Sequence, residues 1–259
     1  MTTTSAKASA ARAPSSGASP EDSSTRSVSR RSAARIAGAG YLLIFVLAIF
    51  ANYVVREGLV VPDDAAATAA NITDSIGLFR AGLVAFLIVF VLDVIIAWAL
   101  HLVFREVNAD VSLVAAWMRL VYTAFLGVAL VFFFEVVQLL GGTEYITTLG
   151  SDQVAAQAML AIESFDSTWL VGLAAFGVHL GLIWYLIVRS GLASTVLGWL
   201  LIAAGTAYIA DTVAHALLAD YAAVESILLV AVAVPSIIGE GWFGLWLLFG
   251  AGRRTLQEA

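Results

Sequence analysis

From residue 32 onward the chain alternates between long apolar runs and short polar breaks. Apolar residues dominate positions 36–55, 78–104, 112–140, 169–188, 195–217 and 227–249. Each run reaches the roughly 20 residues that an α-helix needs to cross a hydrocarbon layer about 30 Å thick. Six such spans return both termini to one side. The breaks at 63–74 and 152–166 are Ala-rich, carry acids at both ends and repeat apolar residues at helical spacing, so each predicts a short interfacial helix. Pro62 followed by Asp63 is a helix start for the first of them. The expected fold is all-α: a polytopic transmembrane helical bundle of six spans with two short outer interfacial helices.

Ahead of the first run, residues 1–31 are Ser, Ala, Thr and Arg with few large side chains, too little apolar surface to fold alone. The domain reading is a disordered tail over 1–31, a membrane domain over 32–252 and a short tail over 253–259. The polar stretch before the first run is too long for an ordinary secretory signal, so that run is expected to be an uncleaved anchor.

Composition agrees with the pattern: 61% of the 259 residues are hydrophobic and 12% charged, and the mean hydropathy is +0.94. Charge then adds an orientation, because cytoplasmic flanks carry the Lys and Arg excess. Lys7, Arg12, Arg26, Arg30, Arg31, Arg35, Arg105, Arg189, Arg253 and Arg254 fall on the face of the termini, whereas only Arg56 and Arg80 fall opposite. Acids collect on that opposite face, among them Glu57, Asp63, Asp64, Asp74, Glu144, Asp152, Glu163, Asp166, Asp220 and Glu225. The expectation is a plasma membrane protein with both termini cytoplasmic. One Lys against twelve Arg, with abundant Ala, fits a GC-rich bacterial source.

The net charge of −6 and the lack of a basic surface outside the tail argue against a nucleic-acid partner. With no Cys, disulfides, thiolate metal sites and Cys nucleophiles are excluded. Nucleotide loops, Ser-centred nucleophile elbows and zincin motifs are absent from the sequence. The expected partner is the lipid bilayer, with a small solute or a proton beside it. No cofactor is assigned, and oligomeric state stays open.

Candidate chemistry rests on Asp93, Arg119, Glu135, His179, Asp211, His215 and Glu240, each inside or at the rim of an apolar run. A charge at mid-membrane costs roughly 2.5–3.5 kcal/mol, so such groups must be paired, neutral or hydrated, and they mark candidate sites. Counting depth at about 1.5 Å per residue puts Asp93 about 16 Å and Arg119 about 10 Å from the same face, within reach of an Arg side chain. That predicts a structural ion pair. Tyr208, Asp211 and His215 form a stripe on one helix face, at a depth similar to Glu135 on another span. These carboxylates and the imidazole are candidates for a proton relay, or for divalent metal through Glu135, Asp211 and His215. Spacing D-x-x-x-H lacks the specificity of H-E-x-x-H, so no metal is assigned. His179 and Glu240 share mid-depth and could bond to each other; Pro235 weakens the helix beside Glu240.

Several segments carry a family resemblance: Ala34-Arg35-Ile36-Ala37-Gly38 leading into Tyr41-Leu42-Leu43, Gly77-Leu78-Phe79-Arg80, Met118-Arg119-Leu120, and Pro235 with Gly239-Glu240 before Leu245-Trp246-Leu247-Leu248. Their order and spacing resemble the bacterial domain-of-unknown-function family 4386. The resemblance implies an integral membrane protein of about six helices and brings no activity, cofactor or site. Three readings follow: binding or movement of a small solute or proton through a polar bundle interior; a membrane-embedded enzyme, with or without a metal, using Glu135, Asp211 and His215; or a non-catalytic structural component.

Overall fold

The computed structural model describes Thr2 and residues 28–251. The tail expected to be disordered over 1–31 therefore lies almost wholly outside the described residues, and the tail over 253–259 lies wholly outside them. Among the described residues there are helices and no strands. Six helices are long and apolar enough to cross a membrane, which is the architecture of a multi-pass membrane protein.

The first span opens as α1 (Arg30–Ile49), capped by the Ser29 side chain on the Ser32 amide. It starts two residues before the expected boundary because Ser29 is an N-cap residue in extended conformation. It continues through a π-helical turn (Phe50–Arg56) and ends in α2 (Glu57–Leu59). Pro62 and Asp63, the latter at φ 61°, reverse the chain, and Asp64 caps α3 (Ala65–Asp74) through the Ala67 amide. Spans α4 (Ile76–Phe104) and α5 (Ala109–Leu140) follow, with Asn108 capping α5. After α6 (Glu144–Leu149) come α7 (Ser151–Ser190), α8 (Thr195–Leu217) and α9 (Ala222–Phe249).

The first expected outer helix is α3. The second does not stand alone: residues 152–166 are the opening turns of α7, which runs unbroken for 40 residues. No proline interrupts it, and Ala-rich sequence propagates a helix once started. At about 60 Å it is roughly twice the hydrocarbon thickness, so one end projects. Both α3 and the short α6 pack against it. Gly191, at φ 62°, ends α7 in the left-handed conformation that glycine tolerates.

Each span packs against its neighbours in the chain, and α9 packs against α1, so the six close into a ring. Arg30 Nη2 donates to the Ala251 carbonyl at 3.4 Å, which brings the two ends together on one face. Small residues let the helices approach. A side chain on Gly177 or Gly205 would collide with the other's carbonyl oxygen, and one on Gly38 would meet the α9 backbone at Gly244 and Leu248.

Candidate functional site

Arg119 is the centre of a buried polar cluster. Its side chain leaves α5 toward the ring interior with 2% of its surface exposed. Nε and Nη2 donate to Asp93 Oδ1 at 2.9 and 2.5 Å, and Nη1 donates to the Tyr41 hydroxyl at 2.5 Å. The guanidinium also lies over the Tyr41 ring at 4.6 Å and the Phe176 ring at 5.2 Å. Such cation–π contacts reach about 2 kcal/mol when desolvated.

His179 completes the cluster from α7. Its Nδ1 lies 2.8 Å from the Ala115 carbonyl oxygen, and its Nε2 lies 3.4 Å from Arg119 Nη1. A carbonyl only accepts, so Nδ1 carries the hydrogen and the Nε2 lone pair faces the arginine. Helices α1, α4, α5 and α7 thus meet on one guanidinium, whose charge Asp93 matches. Asp93 Oδ2 is buried and has no hydrogen-bond partner among the described residues.

Glu240 bonds outside this network, yet it lies close enough for its charge to interact with Arg119 and Asp93. Tyr208 donates to its Oε1 at 3.2 Å, and among the described residues no Lys or Arg lies within ion-pair distance of it. His179 and Glu240 do not bond to each other, because the α7 ring turns to Arg119 and the α9 carboxyl turns to α8. Equal depth was a necessary condition for that pair, and helix rotation decided otherwise.

A cavity of about 200 Å³ opens beside Glu240. Its polar wall is Asn52, Tyr53, Tyr122, Tyr208, Ser236 and Glu240, and Trp169 and Phe176 add aromatic faces. Asn52 is 9% exposed; its Nδ2 donates to the Ala48 carbonyl at 3.1 Å, and its buried Oδ1 accepts no hydrogen bond from the described residues. It lies in the π-helical turn, an irregularity often found at functional sites. Asn52 was legible as a polar residue inside an apolar run, yet sequence reasoning passed over it. A second cavity of about 360 Å³, lined by Leu192, Leu197, Trp242 and Trp246 among others, has no ionisable wall residue.

The stripe on α8 divides. Tyr208 belongs to Glu240, whereas Asp211 and His215 lie toward the end of the helix. Tyr221 donates to Asp211 Oδ1 at 2.7 Å, its ring centroid 3.5 Å from that of His215. His215 Nδ1 donates to the Asp211 carbonyl at 3.0 Å, which again fixes the hydrogen on Nδ1. Burial, together with the Asp211 hydrogen bond and charge, holds the Tyr221 phenol above its usual value, so its hydroxyl remains a donor. Glu135 faces outward from α5, and α7 packs between α5 and α8. Glu135, Asp211 and His215 therefore do not converge, and no group of three such side chains among the described residues could hold a metal ion.

Arg56 and Asp166 form a further pair that the sequence did not reveal. Arg56 Nη1 donates to both carboxylate oxygens at 3.0 and 3.1 Å, tying the first span to α7. Reading Asp166 as the end of a separate outer helix hid it.

A family described as "Domain of unknown function (DUF4386)" matches residues 36–250. The chain belongs to the DUF4386 family. The match spans all six helices and includes Tyr41, Asn52, Asp93, Arg119, His179, Tyr208 and Glu240. An uncharacterised protein of Archaeoglobus fulgidus, similar to this DUF4386 chain, is 26% identical over 176 residues, covering 68% of the chain and 86% of the relative. No solved structure matches this chain.

Proposed function

We propose that this DUF4386 protein binds, and passes across the membrane, a small cationic solute or a proton at Glu240. The observation that carries the reading is a carboxyl with one tyrosine partner and, among the described residues, no Lys or Arg within ion-pair distance, on the wall of a cavity about 200 Å³ in volume. An ionised carboxylate taken out of water needs a countercharge, a proton or several hydrogen bonds. Arg119 is already matched by Asp93, and Glu240 is the group left to receive one. The Asp93 and Arg119 pair is the structural part of this reading, locking the helices around the site.

The setting we propose is a bacterial plasma membrane, with both termini cytoplasmic. Support comes from the ten basic residues on the face of the termini and the acids opposite.

The test is flux. Protein reconstituted into vesicles with an entrapped pH-sensitive dye should dissipate an imposed pH gradient faster than empty vesicles, and Glu240→Gln should remove the difference. Wild-type vesicles that hold the gradient as long as empty ones count against movement of protons.

A further inference from the structure

We propose that the Glu240 cavity takes the ammonium headgroup of a single-chain amine that enters sideways from the lipid phase, between α1 and α9. The proposal rests on the reading of Glu240 as a binding group and adds the class of ligand and its route.

The route follows from how α9 packs. Every buried residue of α9 lies at or after Ser236, namely Ser236, Gly239, Phe243, Gly244 and Leu247. Before Pro235 the helix has no buried residue, and Ile227, Leu229, Val230 and Val234 are all more than half exposed. A close backbone approach of α1 to α9 lies toward the other end, where Gly38 meets Gly244 and Leu248. The cavity lies where this packing begins, lined by Ser236, Ile237 and Glu240 of α9 and by Ile44, Phe45, Ala48 and Ile49 of the first span. Ile49, Tyr53 and Ile237 line the cavity and are 42%, 50% and 48% exposed, so the wall is open between them. In a membrane that opening faces acyl chains.

The ligand class follows from the wall. Glu240, whose Oε1 accepts from Tyr208, and Asn52 Oδ1, which has no donor among the described residues, are acceptors on this wall, and Tyr53, Tyr122, Tyr208, Trp169 and Phe176 surround them with aromatic rings. Acceptors among π-faces recognise an ammonium group. The volume exceeds the roughly 150 Å³ that holds a benzene ring, enough for a headgroup and a few methylenes. The rest of the chain would lie in the gap, against Ile44, Phe45, Ile49 and Ile237.

The experiment uses full-length protein in phosphatidylcholine vesicles and two photoactivatable probes with the same dodecyl chain, one a primary amine and one an alcohol. Labelling at Ile49, Tyr53 and Ile237 should favour the amine by about ten-fold, while lipid-facing Val128 and Val131 take both probes equally. Glu240→Gln should abolish the preference. Ile237→Trp, which narrows the gap and keeps the carboxyl, should cut labelling yet leave intact any rise in melting temperature given by n-butylamine from water. Equal labelling by amine and alcohol overturns the proposal, as do cross-links joining two chains through the gap in place of the probe. If butylamine still stabilises wild type and not Glu240→Gln, the cavity binds amines from water and only the lipid route falls. If neither amine binds, the amine ligand and its route both fall, and the proton reading of Glu240 is decided separately by the flux measurement.

Discussion

Arg119 places two hydrogen bonds on one oxygen of Asp93, Oδ1, and leaves Oδ2 buried without a partner. This side-on approach turns the third corner of the guanidinium toward α1 and α7, where Tyr41 and His179 meet it. A fork laid across both carboxylate oxygens would satisfy Asp93 better. It would also give up the tie between four helices.

Breaking the pair from one side should be costly. Asp93→Ala and Arg119→Ala are each expected to destabilise the protein by about 3–5 kcal/mol, because each strands a buried charge. The double variant Asp93→Leu with Arg119→Met should recover most of the loss. Denaturant unfolding in detergent measures this, and a double variant no more stable than the singles would show that something other than charge pairing holds these helices.

Tyr41 separates two contributions. Tyr41→Phe removes the hydroxyl that Arg119 meets and keeps the ring 4.6 Å below it, a loss of about 1 kcal/mol. Tyr41→Leu loses the ring as well and should cost roughly 1 kcal/mol more. Equal melting points for the two variants would mean that the ring contributes nothing.

At the α7 and α8 crossing, Gly205→Ala should destabilise by about 1–3 kcal/mol. The added methyl meets the Gly177 carbonyl, a backbone atom that cannot swing aside. Gly241→Ala is the control, since nothing lies within 4 Å of its new carbon. Similar melting temperatures for the two variants would contradict the close approach of α7 and α8.

Asn52 should set stability against binding. Asn52→Leu removes a buried acceptor that has no donor, so it should leave stability unchanged or raise it by about 1 kcal/mol. Amine binding should weaken several-fold at the same time. Loss of stability without change in binding would place the role of Asn52 in its bond to Ala48 alone.

The Arg56 and Asp166 pair is half-exposed, at 25% and 41% of the side chains, so water and salt screen it. Arg56→Ala is expected to cost less than about 1 kcal/mol, and high salt should shrink the difference further. Melting curves at low and high salt check both.

The apolar runs made the six spans readable, since a run of that length has few other uses in a folded chain. Depth along a helix was readable too, and it put Arg119 within reach of Asp93. Rotation about each helix axis was not readable. It is set by packing on neighbours that the chain order does not reveal, which is why His179 met Arg119 and Glu240 met Tyr208. The same blindness joined Glu135 to Asp211 and His215, although α7 lies between their helices. The long α7 hid its own length behind a polar patch around Asp166, which a helix projecting past the membrane can carry in water.

The wide turn at Phe50–Arg56 has its own consequence. The Glu57 amide bonds the Asn52 carbonyl five residues back, one residue more than an α-helix would use. Everything beyond it is therefore turned by at least about a quarter of a revolution relative to an unbroken α-helix. The helix before the turn presents Tyr41 to the arginine, and the last residues of the turn itself present Val55 to Gly82 and Arg56 to Asp166. A regular helix would hold one of these sets in register and swing the other toward lipid. The turn acts as a phase shift that lets one span serve two incompatible faces, and deleting a single residue there should cost one set of contacts while sparing the other.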